Sequence, residues 1–220
     1  MSLPLRWWVR ARGEGTLQVA SLADGATNAP AAVPVNSPGW TWSQVAIPTQ
    51  AGSHSLGAIV RLERGRADVD ALILGCGDWS TPDPGQSLAL PAACFFHAGY
   101  TSPDFRGVVL RKDYEPKGII FYGPKLPLDP GRYSLEIEFD SEAPPGVSLG
   151  RFNVSWRGGR EGEWSSMIAG RRAVCDFQQT DNAPFSLNVE YHRAADVAIH
   201  QVRLTRLGPQ NSVMGGAREQ

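Results

Sequence analysis

The chain has 220 residues, of which 42% are hydrophobic and 20% are charged, and its formal net charge is −1. These values are typical of a globular protein with a sizeable core, and they exclude the strongly basic field of a nucleic-acid-binding protein and the acidic field that attracts cationic partners. Glycine (24 residues) and proline (17 residues) are abundant, which favours many short strands joined by turns.

The first eighty residues predict β-strands separated by glycine-containing turns. Residues 5–12 and 16–20 alternate apolar and polar positions, which predicts a hairpin whose turn contains the glycines between them. Residues 23–39, rich in Ala, Asn, Pro and Gly, predict a loop. Residues 40–47 predict a strand, and its alternation slips by one residue, which indicates a β-bulge near Ser43.

One stretch of the chain occurs twice. Residues 54–74, HSLGAIVRLERGRADVDALIL, align with residues 185–204, FSLNVEYHRAADVAIHQVRL. Each copy predicts a strand, a tight polar turn and a second strand. Because a repeat of this length sets the architecture, we expect two related modules.

The second module is predicted to follow a linker over residues 81–92, where Gly, Asp, Pro and Ser are frequent. The modules would then span residues 1–80 and 93–208, and residues 209–220 predict a disordered tail. No stretch shows a helical period over ten or more residues, so the chain is predicted to be all-β. Strands of the second half are predicted at 107–112, 118–122, 133–139, 152–156, 167–168 and 173–177, before the second copy of the repeat.

Residues 95–125 have no counterpart in the first half of the chain. Three alternatives follow from this difference. The first module has lost edge strands, or sequence upstream of Met1 is missing, or the two halves share one continuous sandwich. A half-sandwich exposes an unpaired edge and an apolar face, which favours the last two alternatives.

Four short motifs in the first half form a recognisable order of strands. They are Trp8-Val9-Arg10-Ala11-Arg12, Trp40-Thr41-Trp42, Gly52-Ser53-His54-Ser55-Leu56 and Asp68-Val69-Asp70-Ala71-Leu72-Ile73-Leu74. This order resembles the later strands of the galactose-binding-like jelly rolls, which are the β-sandwich carbohydrate-binding modules of polysaccharide-active enzymes. The resemblance covers residues 6–75 well and residues 118–207 loosely.

The resemblance implies an all-β fold of two related antiparallel β-sandwich (jelly-roll) modules, the first lacking its early strands. It also implies a polysaccharide or oligosaccharide ligand, an attached or associated catalytic domain, and an extracellular or periplasmic location. The residues after Met1 do not form a signal-peptide pattern, and no apolar run approaches the roughly 20 residues of a membrane span.

Aromatic residues are the candidate ligand-binding side chains, because the apolar faces of sugars stack on aromatic rings. Of the seven tryptophans, Trp79 and Trp164 lie in polar loops and are the first candidates, whereas core packing is the competing interpretation for any tryptophan. Trp7 and Trp8 are adjacent and point to opposite faces of a strand, so at most one of them is expected in the core. The predicted ligand-binding residues are Trp42, Trp79, Tyr122, Trp156 and Trp164.

Asp70 lies where the resemblance implies a carboxylate that helps to hold a structural Ca²⁺. Calcium takes about six to eight oxygen ligands, and the sequence shows no full set around Asp70, so a surface or turn-bound carboxylate is the competing interpretation. The second copy of the repeat has His200 near the equivalent position. A disulfide between Cys76 and Cys94 would require an oxidising compartment, and buried thiols are the alternative.

No catalytic residues are predicted. The four histidines form no metalloprotease motif, and the sequence contains no G-x-S-x-G. His97 is a weaker enzymatic candidate, and Glu136 and Glu138 share a strand face that solvent explains more simply than glycoside hydrolysis does. We therefore predict non-catalytic carbohydrate binding through loop aromatics. The alternative is a structural or interaction domain that packs against a catalytic domain or a partner subunit.

Overall fold

The computed structural model describes residues 5–46, 56–76, 80–103, 107–156 and 160–208. As predicted, these residues form an all-β protein, and the chain divides into two compact units, Met1–Ser80 and Thr81–Gln220. Within the described part of the chain, no helix is long and apolar enough to cross a membrane. The strands are β1 Leu5–Ala23, β2 Ala26–Thr27, β3 Ala31–Ala46, β4 Leu56–Cys76, β5 Ser87–Pro91, β6 Phe96–His97, β7 Tyr100–Thr101, β8 Val108–Leu110, β9 Gly118–Pro127, β10 Gly131–Asp140, β11 Ser148–Trp156, β12 Ser165–Ile168, β13 Ala173–Gln179, β14 Pro184–Tyr191 and β15 Val197–Gly208, with one 3₁₀ turn at Ala92–Cys94.

The first unit is built mainly from three long antiparallel strands. β1 lies in the centre, between β3 and β4, and the short β2 pairs with the end of β1. β1 has 19 residues, β3 has 16 and β4 has 21. These strands are much longer than the roughly 3–10 residues that are usual in globular proteins, and they cannot all be straight in a unit of this size.

β1 folds back on itself. The indole Nε1 of Trp7 donates a buried hydrogen bond of 3.0 Å to the Oγ of Ser21, although a straight strand would separate the two residues by roughly 46 Å. One core joins the two halves of β1, with Trp7 and Val9 from the first half and Leu17 and Val19 from the second. The unit is therefore a two-layer sandwich, and each long strand contributes to both layers.

Glycines form the corner between the layers. Gly13 has a φ of +122° and Gly65 a φ of +79°, a region that residues with a Cβ rarely adopt. A Cβ on Gly65 would lie 2.2 Å from the backbone oxygen of Glu14, and a Cβ on Gly13 would lie 2.3 Å from that of Arg66. β1 and β4 therefore cross the corner so closely that only glycine fits at these positions.

Two strand predictions for this unit are wrong. The expected hairpin over residues 5–20 is the single strand β1, because its glycines make a corner between layers and not a turn between paired strands. The expected loop at 23–39 contains β2 and the first half of β3, where alternating Val33 and Val35 are buried.

Two details near the tryptophans also differ from the predictions. The irregularity in β3 lies opposite Arg12, where the pairing with β1 skips residues 38–40, and Ser43 pairs in register. Trp8 is only 5% exposed, so it is buried together with the core tryptophan before it. Trp8 is covered by the ring of Trp42, which makes an edge-to-face contact with it at 6.4 Å between ring centroids. This contact lies on the face of β1 opposite to that of Trp7.

The second unit is a sandwich of two antiparallel sheets. The first sheet has the order β13-β10-β15-β8-β7, with β5 also paired to β15, and the second has the order β12-β11-β14-β9-β6. Alternate side chains fill the space between the sheets. In β10, Tyr133, Leu135 and Ile137 are at most 2% exposed, as the alternation of residues 133–139 predicts.

The three long strands of the first unit correspond to six strands of the second. β3-β1-β4 is the strand order in the first unit, and β13-β10-β15 and β12-β11-β14 are the matching orders in the two sheets of the second. In chain order, β1 replaces β10 and β11, β3 replaces β12 and β13, and β4 replaces β14 and β15. Nothing in the described residues of the first unit corresponds to β5–β9, in agreement with the expectation that this module lacks its early strands.

The two copies of the repeated stretch follow this correspondence with one difference. The second copy forms β14 and β15 in different sheets, joined by residues 192–196. The described part of the first copy is the continuous strand β4, so its predicted turn is wrong, and Gly65 makes a corner there. Asp70 and His200, which the alignment places near each other, are each the extra residue of a β-bulge. The shared bulge supports the internal repeat, which stays a prediction.

The expected linker at 81–92 is only partly a linker. Ser87–Pro91 forms β5 and pairs with β15 in the six-stranded sheet, because its Leu and Ala residues alternate despite the neighbouring prolines and glycine. The tail at 209–220 and the side chain of Cys76 lie outside the described residues, so the disordered tail and the Cys76–Cys94 disulfide stay predictions.

Candidate functional site

One face of the five-stranded sheet, pointing away from the core, carries aromatic and polar side chains from several strands. In β14, Leu187 and Val189 are buried between the sheets, so Asn188 points to the other face. Asn188 pairs with Tyr122 of β9 on one side and with Asn153 of β11 on the other. We call this set the aromatic–amide row, and its members are Phe96, Tyr122, Asn188, Asn153, Ser155, Arg151 and Trp164.

A pair of stacked rings forms one end of the aromatic–amide row. Phe96 of the edge strand β6 lies beside Tyr122, with 5.4 Å between ring centroids and 19° between ring planes. The preceding Phe95 is buried and stacks on Phe121 in the core, so Phe96 must point outward. Phe96 is 52% exposed, and it offers solvent a flat apolar surface that its neighbour holds in place.

A hydrogen-bonded amide lies at the centre of the row. Asn188 donates both protons of Nδ2, one to Asn153 Oδ1 at 3.0 Å and one to Ser155 Oγ at 2.9 Å. Asn153 is fully buried and donates to the backbone oxygen of Gly162. These bonds fix the orientation of the Asn188 amide and leave its Oδ1 as the atom that can accept a hydrogen bond from a ligand.

A tryptophan and an ion pair form the other end of the row. The guanidinium of Arg151 lies 4.4 Å from the ring centroid of Trp164 and 2.6 Å from the carboxylate of Glu190. Trp164 is half-buried. From β6 to β11 the row crosses three strand intervals, about 14 Å. The row thus combines a stacking surface with directional polar groups over a width that suits an extended ligand.

The structure brings two of the five predicted ligand-binding residues, Tyr122 and Trp164, into this row. Trp42 belongs to the first unit, where it is half-buried against Trp8. Trp79 lies outside the described residues. The predicted set is therefore not a single cluster in the described part of the chain.

Trp156 is only 8% exposed and points into the sandwich. Its Nε1 donates to Gln179 Oε1 at 2.5 Å, and the guanidinium of Arg160 lies 4.4 Å from its ring centroid. Its outer edge lines a cleft of about 720 Å³ that also contacts Phe177 and Asp176. Trp156 is thus mainly a core residue, and its main polar contact is structural.

Asp70 serves as an ion-pair partner. The bulge in β4 turns its side chain toward Arg10, and the carboxylate accepts a hydrogen bond of 2.7 Å from Arg10 Nη1. Among the described residues, no group of three or more His, Cys, Asp or Glu side chains could hold a metal ion. Ca²⁺ binds several oxygen ligands, whereas the Asp70 carboxylate is already paired with the guanidinium of Arg10. These surroundings do not fit the calcium that the resemblance implies.

The enzymatic candidates lie in separate places. Glu136 and Glu138 are on the outward face of the six-stranded sheet, where hydrogen bonds from Arg172 and Arg203, respectively, lower the pKa of each carboxyl group. Both therefore remain deprotonated at neutral pH, which is the opposite of what a general acid requires. His97, the last residue of β6, has one ring nitrogen 2.9 Å from the carbonyl oxygen of Gly99, a local contact with the segment that follows the strand.

Sequence reasoning missed the centre of the row and the exposed ring at its aromatic end. Phe96, Asn153 and Asn188 are not among the predicted site residues. A signal for Phe96 is present, because adjacent aromatic residues in a strand must point to opposite faces. Asn188 also alternates with buried residues of the repeat, but the sequence does not show which strands lie beside it.

No protein-family model and no curated protein matches the chain. Among solved structures, it is similar to the C-terminal CBM6 of LamC, a marine laminarinase from Zobellia galactanivorans, with 14% identity and a TM-score of 0.39 over 55% of this chain and 100% of that chain. It is similar to the tandem CBM22-1–CBM22-2 domain of Xyn10C from Paenibacillus barcinonensis, with 10% identity and a TM-score of 0.37 over 94% of this chain and 79% of that chain. It is also similar to the insecticidal delta-endotoxin Cry8Ea1 of Bacillus thuringiensis, with 12% identity and a TM-score of 0.38 over 89% of this chain and 42% of that chain. The similar solved structures thus include carbohydrate-binding modules and an insecticidal toxin.

Proposed function

We propose that this protein binds a polysaccharide or oligosaccharide without cleaving it, and that the aromatic–amide row of the second unit is the binding site. The apolar face of a sugar ring stacks on Phe96, and a sugar hydroxyl donates a hydrogen bond to Asn188 Oδ1. This assignment moves the site from the loops, where the sequence suggests it, to a sheet face.

A single observation carries the proposal. Phe96 stacks on Tyr122 and is more than half-exposed. Next to this stack lies Asn188, whose two amide protons are both donated to neighbouring side chains. Covering an exposed aromatic ring with a ligand lowers the free energy, because apolar surface is removed from water. An amide held by its neighbours loses little side-chain freedom when the ligand binds.

A glycan array followed by calorimetry with the best ligand tests the proposal. Phe96→Ala should weaken binding by at least about ten-fold, as expected when an aromatic anchor is truncated. Asn188→Ala should weaken it as well. Tyr114→Ala is the matched control, because Tyr114 is a 75% exposed aromatic residue of the same unit outside the row. Wild-type affinity in Phe96→Ala, or no binding to any glycan, would contradict the proposal.

Trp79→Ala and Trp164→Ala separate the loop hypothesis from the sheet-face hypothesis. Trp164 is half-buried with Arg151 on its ring, so its truncation should have a smaller effect than that of Phe96. A larger loss in Trp79→Ala than in Phe96→Ala would return the site to the loops.

An interaction role is the second candidate, and the edge of β4 favours it. In the described residues β4 pairs only with β1, and its side chains Ile59, Leu62 and Val69 are 42–46% exposed. A long edge with apolar side chains is suited to pairing with a strand of an attached catalytic domain or a partner subunit. Concentration-dependent association in sedimentation experiments, abolished by Leu62→Lys, together with no glycan binding, would favour this role.

A further inference from the structure

Lys125 is the extra residue of a β-bulge in the pairing of β9 with β14, and its side chain lies beside the aromatic end of the aromatic–amide row. Among the described residues, three other than glycine have positive φ: Asp24 (+47°), Lys125 (+60°) and Arg193 (+62°). Such residues are uncommon, and each of these three has a local structural setting. Asp24 forms a turn with Gly25 between β1 and β2. Turns of this kind favour Asp and Gly at these positions.

Arg193 also has a structural reason for its conformation, because its Nε donates a hydrogen bond of 2.7 Å to the backbone oxygen of Lys112. The bulge accounts for the backbone of Lys125, but its side chain makes no comparable hydrogen bond to any of the described residues. It is exposed, and its Nζ lies 5.4 Å from the ring centroid of Tyr122. Within the described part of the chain, this is the contact that the ammonium group makes.

The charges of the aromatic–amide row are otherwise balanced. The guanidinium of Arg151 is paired with the carboxylate of Glu190 at the far end of the row. At the aromatic end, the ammonium of Lys125 has an aromatic ring and no carboxylate of the described residues as its partner. Lys125 therefore adds a positive charge, which no carboxylate of the described residues neutralises, next to the stacking surface of the row.

We propose that the ligand is an anionic saccharide, whose carboxylate or sulfate group binds the ammonium of Lys125 while a sugar ring stacks on Phe96. This inference rests on the proposed function and specifies its ligand class. The lysine lies at the bulge, with its ammonium beside the ring of the residue three positions earlier. A charge-assisted hydrogen bond to the anion then adds to stacking. The anion pairs with an ammonium group that has no carboxylate partner among the described residues.

Two pairs of polysaccharides, each with the same sugar backbone in a charged and a neutral form, test the inference. The first pair is polygalacturonate and its fully methyl-esterified form, and the second is a sulfated galactan and the same galactan after desulfation. Binding is measured by calorimetry or affinity electrophoresis at low ionic strength. The charged member of at least one pair should bind more tightly, and the pair that shows the difference identifies the anion as carboxylate or sulfate.

Three variants complete the design. Lys125→Gln removes the charge and keeps most of the side chain, and Lys125→Gly removes the charge in a residue that accepts positive φ, so neither result depends on loss of folding. Both should weaken binding of the charged polysaccharide by roughly five-fold and leave the neutral one unchanged. Lys117→Gln, at another exposed lysine of the unit, should change neither. The difference should disappear near 1 M salt, where the screening length is only about 3 Å.

The outcomes separate the two hypotheses. Equal affinity for both members of each pair, or wild-type behaviour of the Lys125 variants, overturns the anionic ligand. If neutral glycans nevertheless bind and Phe96→Ala abolishes their binding, the proposed function stands. If no glycan binds, both are overturned.

Discussion

Replacing Gly65 by alanine is expected to destabilise the first unit more than the same change at Gly25. Both glycines have positive φ, +79° at Gly65 and +85° at Gly25, so alanine meets the same backbone penalty of about 1–2 kcal/mol at each. A Cβ on Gly25 has no atom within 4 Å. A Cβ on Gly65 lies 2.2 Å from the backbone oxygen of Glu14 and 2.7 Å from the Cα of Gly15.

The magnitude follows from the identity of the clashing atoms. Backbone atoms of β1 cannot rotate away as a side chain can, so alanine at Gly65 must push the two strands apart at the corner. Overpacking of this kind costs about 1–3 kcal/mol. The free energy of unfolding should therefore fall by about 1–2 kcal/mol in Gly25→Ala and by about 2–5 kcal/mol in Gly65→Ala.

Urea unfolding followed by tryptophan fluorescence measures the difference, because Trp7, Trp8, Trp40 and Trp42 all lie in the first unit. In a thermal scan, each kcal/mol should lower Tm by about 4–8 °C for a unit of this size. If Gly65→Ala and Gly25→Ala lose the same stability within about 0.5 kcal/mol, the close crossing of β1 and β4 at the corner is wrong.

Gln179→Leu should lower the free energy of unfolding of the second unit by about 3 kcal/mol in chemical denaturation, because it leaves the buried Nε1 of Trp156 and two backbone oxygens without their partner. The control is Gln178→Leu, at an exposed neighbour. It should change the same free energy by less than about 0.5 kcal/mol. Stability should also fall in acid as Glu138 is protonated. Its folded pKa is lowered by hydrogen bonds from Arg203 and Gln201, so its contribution is present above its unfolded pKa of about 4.3 and is lost as the pH falls through the folded pKa. Tm measured between pH 6 and pH 2 should decline less steeply in Glu138→Gln, and an identical slope in both proteins would contradict the assignment.

The class of fold could be predicted because alternation is a local property of the chain. Tyr133, Leu135 and Ile137 alternate with polar residues, and all three are buried in β10. The same reasoning requires one of Phe95 and Phe96 to point outward. The prediction fails at Gly13 and Gly65 because a hairpin turn and a corner between layers make the same local demand, which is a residue that tolerates positive φ.

The candidate site was less predictable. The sequence favoured Trp79 and Trp164, because large aromatic residues in polar loops are typical of sites that stack on sugars. Phe96 and Asn188 carry a weaker signal, because half of the residues in any strand point outward. Only their pairing with Tyr122 distinguishes them, and that pairing joins residues far apart in the chain.

By itself, the sequence determined that this chain forms β-strands, which side of most strands faces a core, and that two stretches share one pattern. These properties depend on a period of two residues and on turn chemistry, which act within a few positions. The tertiary structure decided that three long strands fold over to make the first sandwich. It also decided that Phe96, Tyr122, Asn188 and Asn153 form one row. Strand pairing depends on packing between segments separated by tens of residues, and no local pattern specifies it.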